Sequence, residues 1–145
     1  MYLVDTNVVS AGAPTARGAP ELVNWMDAHS ASLFVSVVTV SEIVAGIAKV
    51  RREGGSRKAA HLAAWLDALL HLYGDRVLPI DTAVAQFAGQ LSDLARAKGR
   101  PPGFADIAIA ATARRHGLTI LSRNFKHFEP LGVPVLDPFS DLPQH

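Results

Sequence analysis

The chain has 145 residues, of which 49% are hydrophobic, and its 14 basic and 13 acidic residues give a net charge of +1. This length predicts one domain over residues 1–145, since chains near 150 residues bury about 70% of their unfolded surface. The balanced charge provides no bulk attraction for a polyanion, and the lack of cysteine excludes disulfides, thiol catalysis and cysteine-based zinc sites. We recognise neither a signal peptide nor an apolar run of about 18 residues, so we expect a soluble, cytoplasmic protein.

Five short apolar runs predict β-strands, and helical patterns lie between them. Strands separated by helices predict an α/β fold with a parallel sheet covered on both faces. Pro79 and Pro134 place the third and fifth runs towards the sheet edges, because proline removes a ladder donor. In chain order, the predicted strands are 3–4, 33–35, 77–80, 119–121 and 133–136, and the predicted helices are 20–29, 39–52, 57–72, 82–98 and 104–116.

Four polar residues stand where these elements end or begin: Asp5, Glu42, Asp106 and Asn124. In an open α/β sheet such positions converge on the crevice at the carboxyl ends of the strands, where ligands bind. Three carboxylates brought together repel, so the cluster is stable only when protons are shared or a cation is bound. Oxygen ligands of this kind suit Mg²⁺ or Mn²⁺, and the pattern therefore predicts metal-dependent phosphodiester chemistry.

Each of the four residues also has a purely structural interpretation. Asp5 fits a turn or the cap of a short helix over residues 7–11, and Asn124 fits a turn. Glu42 ends the segment Thr39-Val40-Ser41-Glu42, which matches a capping box in which the acid bonds back to the N-cap amide. Asp106 suits the first turn of a helix because the helix dipole favours negative charge there.

Basic residues flank the predicted crevice. Arg123 and Lys126 lie beside Asn124, and Arg100 lies in the loop before Asp106. Facing the crevice, these side chains would bind phosphates and position a strand without reading its sequence; the alternative is that they are only solvated. His127 is a minor candidate because it is close to Asn124 in the sequence.

Four segments resemble the PIN-domain ribonucleases, specifically the VapC-type toxins of bacterial toxin–antitoxin pairs. They are YLVDTNVVS, SVVTVSEIVAGIAKV, FADIAIAATARRHGLTILSRNFKHF and VPVLDPF, and the resemblance runs from Met1 to about Phe139. It implies a five-stranded parallel sheet in the order 3-2-1-4-5, flanked by helices on both faces. It also implies Mg²⁺- or Mn²⁺-dependent hydrolysis of RNA, a VapB-like antitoxin as partner, and a homodimer.

The resemblance assigns roles by matching motif. The fourth position, an acid in some members of the family, is an asparagine in this chain. The implied site consists of Asp5, Glu42 and Asp106 as acidic metal ligands, Asn124 at the fourth position, and Thr6 and Ser122 as hydroxyl groups lining the pocket.

Two other classes of function fit parts of the pattern. A phosphoaspartyl phosphatase or receiver domain would use Asp5 as nucleophile, but the phosphatase motif has an acid at the position of Asn7. A receiver would also need a paired acid before the nucleophile and a late lysine after a strand, and we place neither. In a non-catalytic interaction module, the acids would serve only as caps.

Two apolar helical faces predict a groove for an amphipathic partner helix. The alternative is that both faces pack inside the domain. The faces consist of Leu22, Trp25 and Met26 on one helix and Ile43, Ile47 and Val50 on the next.

Overall fold

A computed structural model describes residues 1–99 and 101–144. Within them, five parallel strands form a sheet in the order β3-β2-β1-β4-β5, which confirms the predicted fold. The strands are β1 (Tyr2–Val4), β2 (Leu33–Ser36), β3 (Val77–Leu78), β4 (Thr119–Leu121) and β5 (Val135–Leu136). Seven α-helices accompany them in the same residues: α1 (Thr6–Val9), α2 (Pro20–Ala28), α3 (Val37–Arg52), α4 (Ser56–Tyr73), α5 (Thr82–Ala97), α6 (Phe104–His116) and α7 (Phe125–Phe128).

Strand β1 occupies the centre of the sheet, between β2 and β4. Tyr2 aligns with Leu33 on one side, and Val4 aligns with Leu121 on the other. The chain order of the strands reverses at β1, so the residue that follows it emerges at the switch point where open α/β sheets bind ligands. The short strands β3 and β5 form the two edges, as Pro79 and Pro134 predicted.

Helices bury both faces of the sheet. Leu3 and Ile120 are fully buried in one cluster with residues of α5 and α6, while Val4 and Leu121 are fully buried in a second cluster with residues of α1 to α4. This alternation along β1 and β4 is what a parallel sheet covered on both sides requires. None of the helices in the described residues is long and apolar enough to cross a membrane.

Helix α6 agrees with its prediction at both ends. Residues 107–113 are all buried, and the four alanines among them let the helix approach the sheet and α5 closely. The helix ends at Gly117, whose φ of 65° is a left-handed conformation that glycine adopts without strain. This close packing fixes the position of Asp106 in the first turn.

The capping-box prediction for Glu42 is wrong. Helix α3 begins at Val37 rather than at residue 39, and its N-cap is Ser36, whose hydroxyl oxygen accepts a hydrogen bond of 3.0 Å from the Val38 amide. The cause is that β2 runs directly into α3 without a loop, so the cap falls on the last strand residue. Glu42 is therefore the sixth residue of the helix, too far along to cap it.

The two predicted apolar faces pack largely inside the domain. Leu22, Ile43 and Ile47 belong to the buried cluster beneath α1 to α4, and Trp25, Met26 and Val50 pack against it while partly exposed. The inner edge of the α3 face also lines a groove of about 380 Å³ that runs from Thr6 and Glu42 to Lys58 and Trp65 on α4. We call this cleft the α3–α4 groove.

Candidate active site

Asp5 lies at the end of β1 and is only 5% exposed. Its backbone amide donates to the Leu121 carbonyl over 2.9 Å, which anchors the residue to β4. One carboxylate oxygen, Oδ1, accepts a 2.8 Å bond from the Thr6 amide and caps α1. The other, Oδ2, accepts a 2.7 Å bond from the Ser122 hydroxyl. The predicted capping role is thus present, and it occupies only one of the two oxygens.

Asn7 connects the ends of β1 and β4 at the site. Its amide nitrogen Nδ2 lies 3.2 Å from Asp5 Oδ2 and 3.3 Å from Ser122 Oγ, and its carbonyl oxygen accepts a 3.1 Å bond from the Arg123 amide. Asn7 is a residue of the site that was not predicted from the sequence. The sequence feature that could have indicated it is its position two residues after the acid that ends β1. An asparagine side chain at such a position commonly forms hydrogen bonds with neighbouring residues.

Glu42 reaches the site from α3. Its Oε1 atom accepts a 2.5 Å hydrogen bond from the Thr6 hydroxyl, which also lies 3.2 Å from the Thr39 hydroxyl. Because Thr6 directly follows Asp5, this contact directs the exposed Glu42 carboxylate towards the end of β1. The hydroxyl groups of Thr6 and Ser122 therefore each hold one of the predicted acids.

Asp106 approaches from the first turn of α6, with its side chain 26% exposed. Burial is the main cause that raises the pKa of this carboxyl above its ordinary value, and the charges of Asp5 and Glu42 raise it further. His127 acts against this shift, because its Nδ1 atom lies 3.1 Å from Asp106 Oδ2. The three acids thus share one electrostatic environment at the carboxyl edge of the sheet.

Of the remaining predicted residues, Arg123, Asn124 and Lys126 are exposed. The backbone amide of Asn124 donates to Ser122 Oγ over 2.9 Å, whereas its side chain makes no capping bond to α7. Lys126 is exposed on α7, and the Arg123 guanidinium lies 3.8 Å from the centre of the Phe139 ring. Arg100, the third predicted phosphate-binding residue, lies outside the described residues.

The donor groups fit a hydrated divalent cation. Within residues 1–99 and 101–144, no three histidine or acidic side chains come close enough to ligate one ion directly. Mg²⁺ keeps several of its waters and is held by one or two carboxylates, so a looser ring of oxygen donors is compatible with it. The carboxylates of Asp5, Glu42 and Asp106 are oxygen donors of the kind that Mg²⁺ or Mn²⁺ takes.

Comparison with known proteins agrees with the fold. The PIN domain family profile matches residues 2–130. Toxin FitB of Neisseria gonorrhoeae is 33% identical over 144 residues, covering 97% of this chain and 100% of that protein. The VapC ribonuclease Y4jK of Sinorhizobium fredii is 30% identical over 142 residues, covering 96% and 98%.

The solved structures give the same result. The crystal structure of FitAcB from Neisseria gonorrhoeae superposes with a TM-score of 0.85 at 33% identity, covering 96% of this chain and 99% of that one. The chain belongs to the PIN domain family, and the resemblance carried by its four segments is confirmed.

Proposed function

We propose that this protein is a metal-dependent endoribonuclease that acts in the cytoplasm as the toxin of a toxin–antitoxin pair. The observation that carries the proposal is the arrangement of the acids at the carboxyl edge of a PIN-domain sheet, where the Ser122 hydroxyl holds Asp5, the Thr6 hydroxyl holds Glu42, and Asp106 enters from the first turn of α6. Relatives of 30% identity or more, named a toxin and a VapC ribonuclease, support the same function.

The proposed reaction is hydrolysis of an RNA phosphodiester bond. Asp5, Glu42 and Asp106 would hold Mg²⁺ or Mn²⁺ beside Asn124, and the ion would supply charge stabilisation and an activated water. The Ser122 and Thr6 hydroxyl groups orient Asp5 and Glu42, respectively. Single-stranded or loop RNA is the substrate we expect, because its backbone bends into a recessed pocket more easily than a duplex.

A phosphoaspartyl mechanism is less compatible with the contacts of Asp5. Its Oδ1 accepts the Thr6 amide and its Oδ2 accepts the Ser122 hydroxyl, so neither oxygen is free of hydrogen bonds. Such bonds stabilise the carboxylate and reduce its reactivity as a nucleophile. The same contacts suit a fixed ligand.

The purified protein is expected to cleave single-stranded RNA in Mg²⁺ or Mn²⁺ and to lose that activity in EDTA. The physical reason is that the proposed hydrolysis depends on a cation to activate the attacking water and to stabilise the negative charge that develops on the phosphate. The measurement is cleavage of a labelled oligonucleotide with each ion, with chelator, and with the ion restored. Full activity in chelator would contradict the metal mechanism.

The α3–α4 groove is where we propose that an antitoxin segment binds. It combines apolar side chains from Ile47 and Trp65 with Glu42 at the end nearest the site. An amphipathic helix fits such a groove, and a cation carried on it would reach the carboxylates. The structural neighbours of this chain are toxin–antitoxin complexes, which supports a partner of this kind.

A second apolar surface supports a homodimer, which we also propose. Phe104 is 68% exposed, Val44 50% and Ile80 38%, and these are large side chains to leave in water. Phe104 and Ile80 line a groove of about 370 Å³ with Val37 and Val38 of α3. Val44 is seven residues after Val37 and therefore lies on the same side of that helix.

Expression of the chain alone is expected to arrest bacterial growth. We also expect an adjacent upstream gene to encode the small antitoxin, and co-expression of that gene should relieve the arrest. Unchecked RNA cleavage causes the first effect, and occupation of the α3–α4 groove causes the second. Growth curves and co-purification test both, and light scattering of the purified chain and complex measures whether it is a dimer. A harmless chain that remains monomeric beside the upstream product would refute the toxin assignment, even with nuclease activity intact.

A further inference from the structure

Arg123 is held in place at both of its ends. Its backbone amide donates to the Asn7 side chain over 3.1 Å, and Asn7 in turn contacts Asp5 Oδ2. Its guanidinium carbon lies 3.8 Å from the centre of the Phe139 ring, the distance of a close cation–π stack. An exposed arginine is normally free to rotate, so this degree of fixation requires an explanation.

The Phe139 ring is itself supported by a structured segment after β5. The Phe139 amide donates to Asp137 Oδ1 over 2.9 Å, and the Ser140 hydroxyl lies 3.2 Å from Asp137 Oδ2. Strand β5 is joined to the site strand, because the Ser122 amide donates to the Leu136 carbonyl over 3.0 Å. The ring is therefore fixed relative to Ser122 and Asp5.

The guanidinium of Arg123 stacks on the Phe139 ring and is not paired with a carboxylate of the described residues. Among the described residues, the ion pair at the site joins Asp106 to His127, and Arg123 makes none. A guanidinium stacked on a ring uses its face and leaves its N–H groups free around the edge of its plane. Arg123 thus presents an unneutralised cation with its donors available, one residue from Ser122.

From this geometry we infer that Arg123 and Phe139 form a phosphate-binding element, in which the ring positions the guanidinium to bind a backbone phosphate of the RNA next to the bond that is cut. The inference rests on the proposed ribonuclease function and adds a positioning role for Phe139. Arginine binds phosphate through paired N–H donors, and holding it in advance lowers the entropy lost on binding. A cation at this point also offsets the repulsion between the RNA and the three acids.

RNA binding in EDTA separates this role from catalysis. The probe is a fluorescently labelled single-stranded RNA oligonucleotide, and affinity is measured by anisotropy at several salt concentrations. Arg123→Ala should weaken binding about tenfold and reduce the salt slope by about 0.7, the value for one phosphate contact on a single strand. Phe139→Leu keeps the charge and should weaken binding about threefold to fivefold, the value of an exposed cation–π contact.

Three further variants control for folding and charge. Phe139→Trp keeps an aromatic face and should bind as the wild type does, whereas Arg123→Lys keeps the charge but loses the planar donors and should bind about fivefold more weakly. Arg115→Ala removes an exposed arginine from the last turn of α6, far from Asp106 in the first, and should have little effect. In cleavage assays with metal, the variants that bind RNA more weakly should have a raised KM, while their kcat stays within about twofold of the wild-type value.

Two results would overturn the inference while leaving the ribonuclease proposal intact. One is Phe139→Leu binding RNA as tightly as the wild type, and the other is Arg123→Ala behaving like Arg115→Ala. If Phe139→Leu fails to fold, Arg123→Lys and Phe139→Trp replace it, since neither variant empties the space under the guanidinium. Arg123→Lys binding RNA as tightly as the wild type would then overturn the inference. A wild-type chain that neither binds nor cleaves RNA would overturn both proposals together.

Discussion

Asp5→Asn and Asp106→Asn are each expected to lower RNA cleavage by at least about 100-fold, while shifting stability in opposite directions. Both substitutions remove a negative charge that the proposed cation needs, and a metal site supplies several kcal/mol of transition-state stabilisation. The effects on stability differ because the two carboxylates have different surroundings.

The Asp5 carboxylate accepts hydrogen bonds from the Thr6 amide, the Ser122 hydroxyl and the Asn7 side chain. An asparagine keeps one acceptor oxygen but places an NH₂ group against the Asn7 amide, so at least one of these bonds is lost. We expect a loss of about 1–2 kcal/mol in the free energy of unfolding, because the site is buried.

Asp106 is ionised at some cost in the folded protein, since burial and the charges of Asp5 and Glu42 raise its pKa. A raised pKa means that the folded state holds the proton more tightly than the unfolded chain does. The resulting stability is complete below the unfolded pKa and is lost as pH rises through the raised value. Asp106→Asn is free of this loss, so its advantage over the wild type should grow as pH rises from about 4, the ordinary pKa of an aspartate, through the raised pKa of Asp106.

Thermal denaturation of both variants and the wild type at several pH values, together with cleavage assays, tests this pair of predictions. A variant that is folded and still active would remove its residue from the proposed metal site. A pH-independent difference between Asp106→Asn and the wild type would show that the pKa of Asp106 is not raised in the folded protein.

Glu42→Gln is expected to remove most activity, by about 100-fold, with almost no change in melting temperature. The helix does not depend on this carboxylate, because Ser36 caps α3 and Glu42 is its sixth residue. A glutamine retains the oxygen that accepts the Thr6 hydroxyl, so the local contact survives while the charge is lost. Only a role as metal ligand predicts a large effect on cleavage alone.

Ser36→Ala is the matched control for that experiment. It removes the bond to the Val38 amide and should lower stability by about 1 kcal/mol while leaving kcat near the wild-type value. Measured on both variants, the cleavage rate should fall only in Glu42→Gln, and the melting temperature should fall only in Ser36→Ala. An active, destabilised Glu42→Gln protein would return this residue to a structural role.

The fold was predictable because its signals are local. β-branched runs, the apolar spacing of the helices, Gly117 as a terminator and prolines beside the edge strands all act within a few residues. The start of α3 was not predictable in this way. Thr39 and Ser36 are both good caps, and the choice between them depends on where β2 stops pairing with β3, which is a tertiary contact.

The acids of the candidate site were easier to predict from the sequence than the residues that hold the site together. Asp5, Glu42 and Asp106 stand at strand ends or in early helical turns, positions that the topology brings together. Asn7 had only a local signal, its position two residues after Asp5, and Phe139 had none, because the other partners of these two residues are distant in the chain. Asn7 contacts Ser122 and Arg123, and Phe139 meets Arg123 only once β4 and β5 are paired.

The brevity of the outer strands limits how another chain can attach to this protein. β3 and β5 contribute two residues each, with Pro79 after one and Pro134 before the other. Within the described residues, such edges offer too little unpaired backbone to template an added strand, which is a common route to aggregation and to strand-mediated complexes. A partner of the proposed toxin would therefore be recognised through side chains rather than through an added strand.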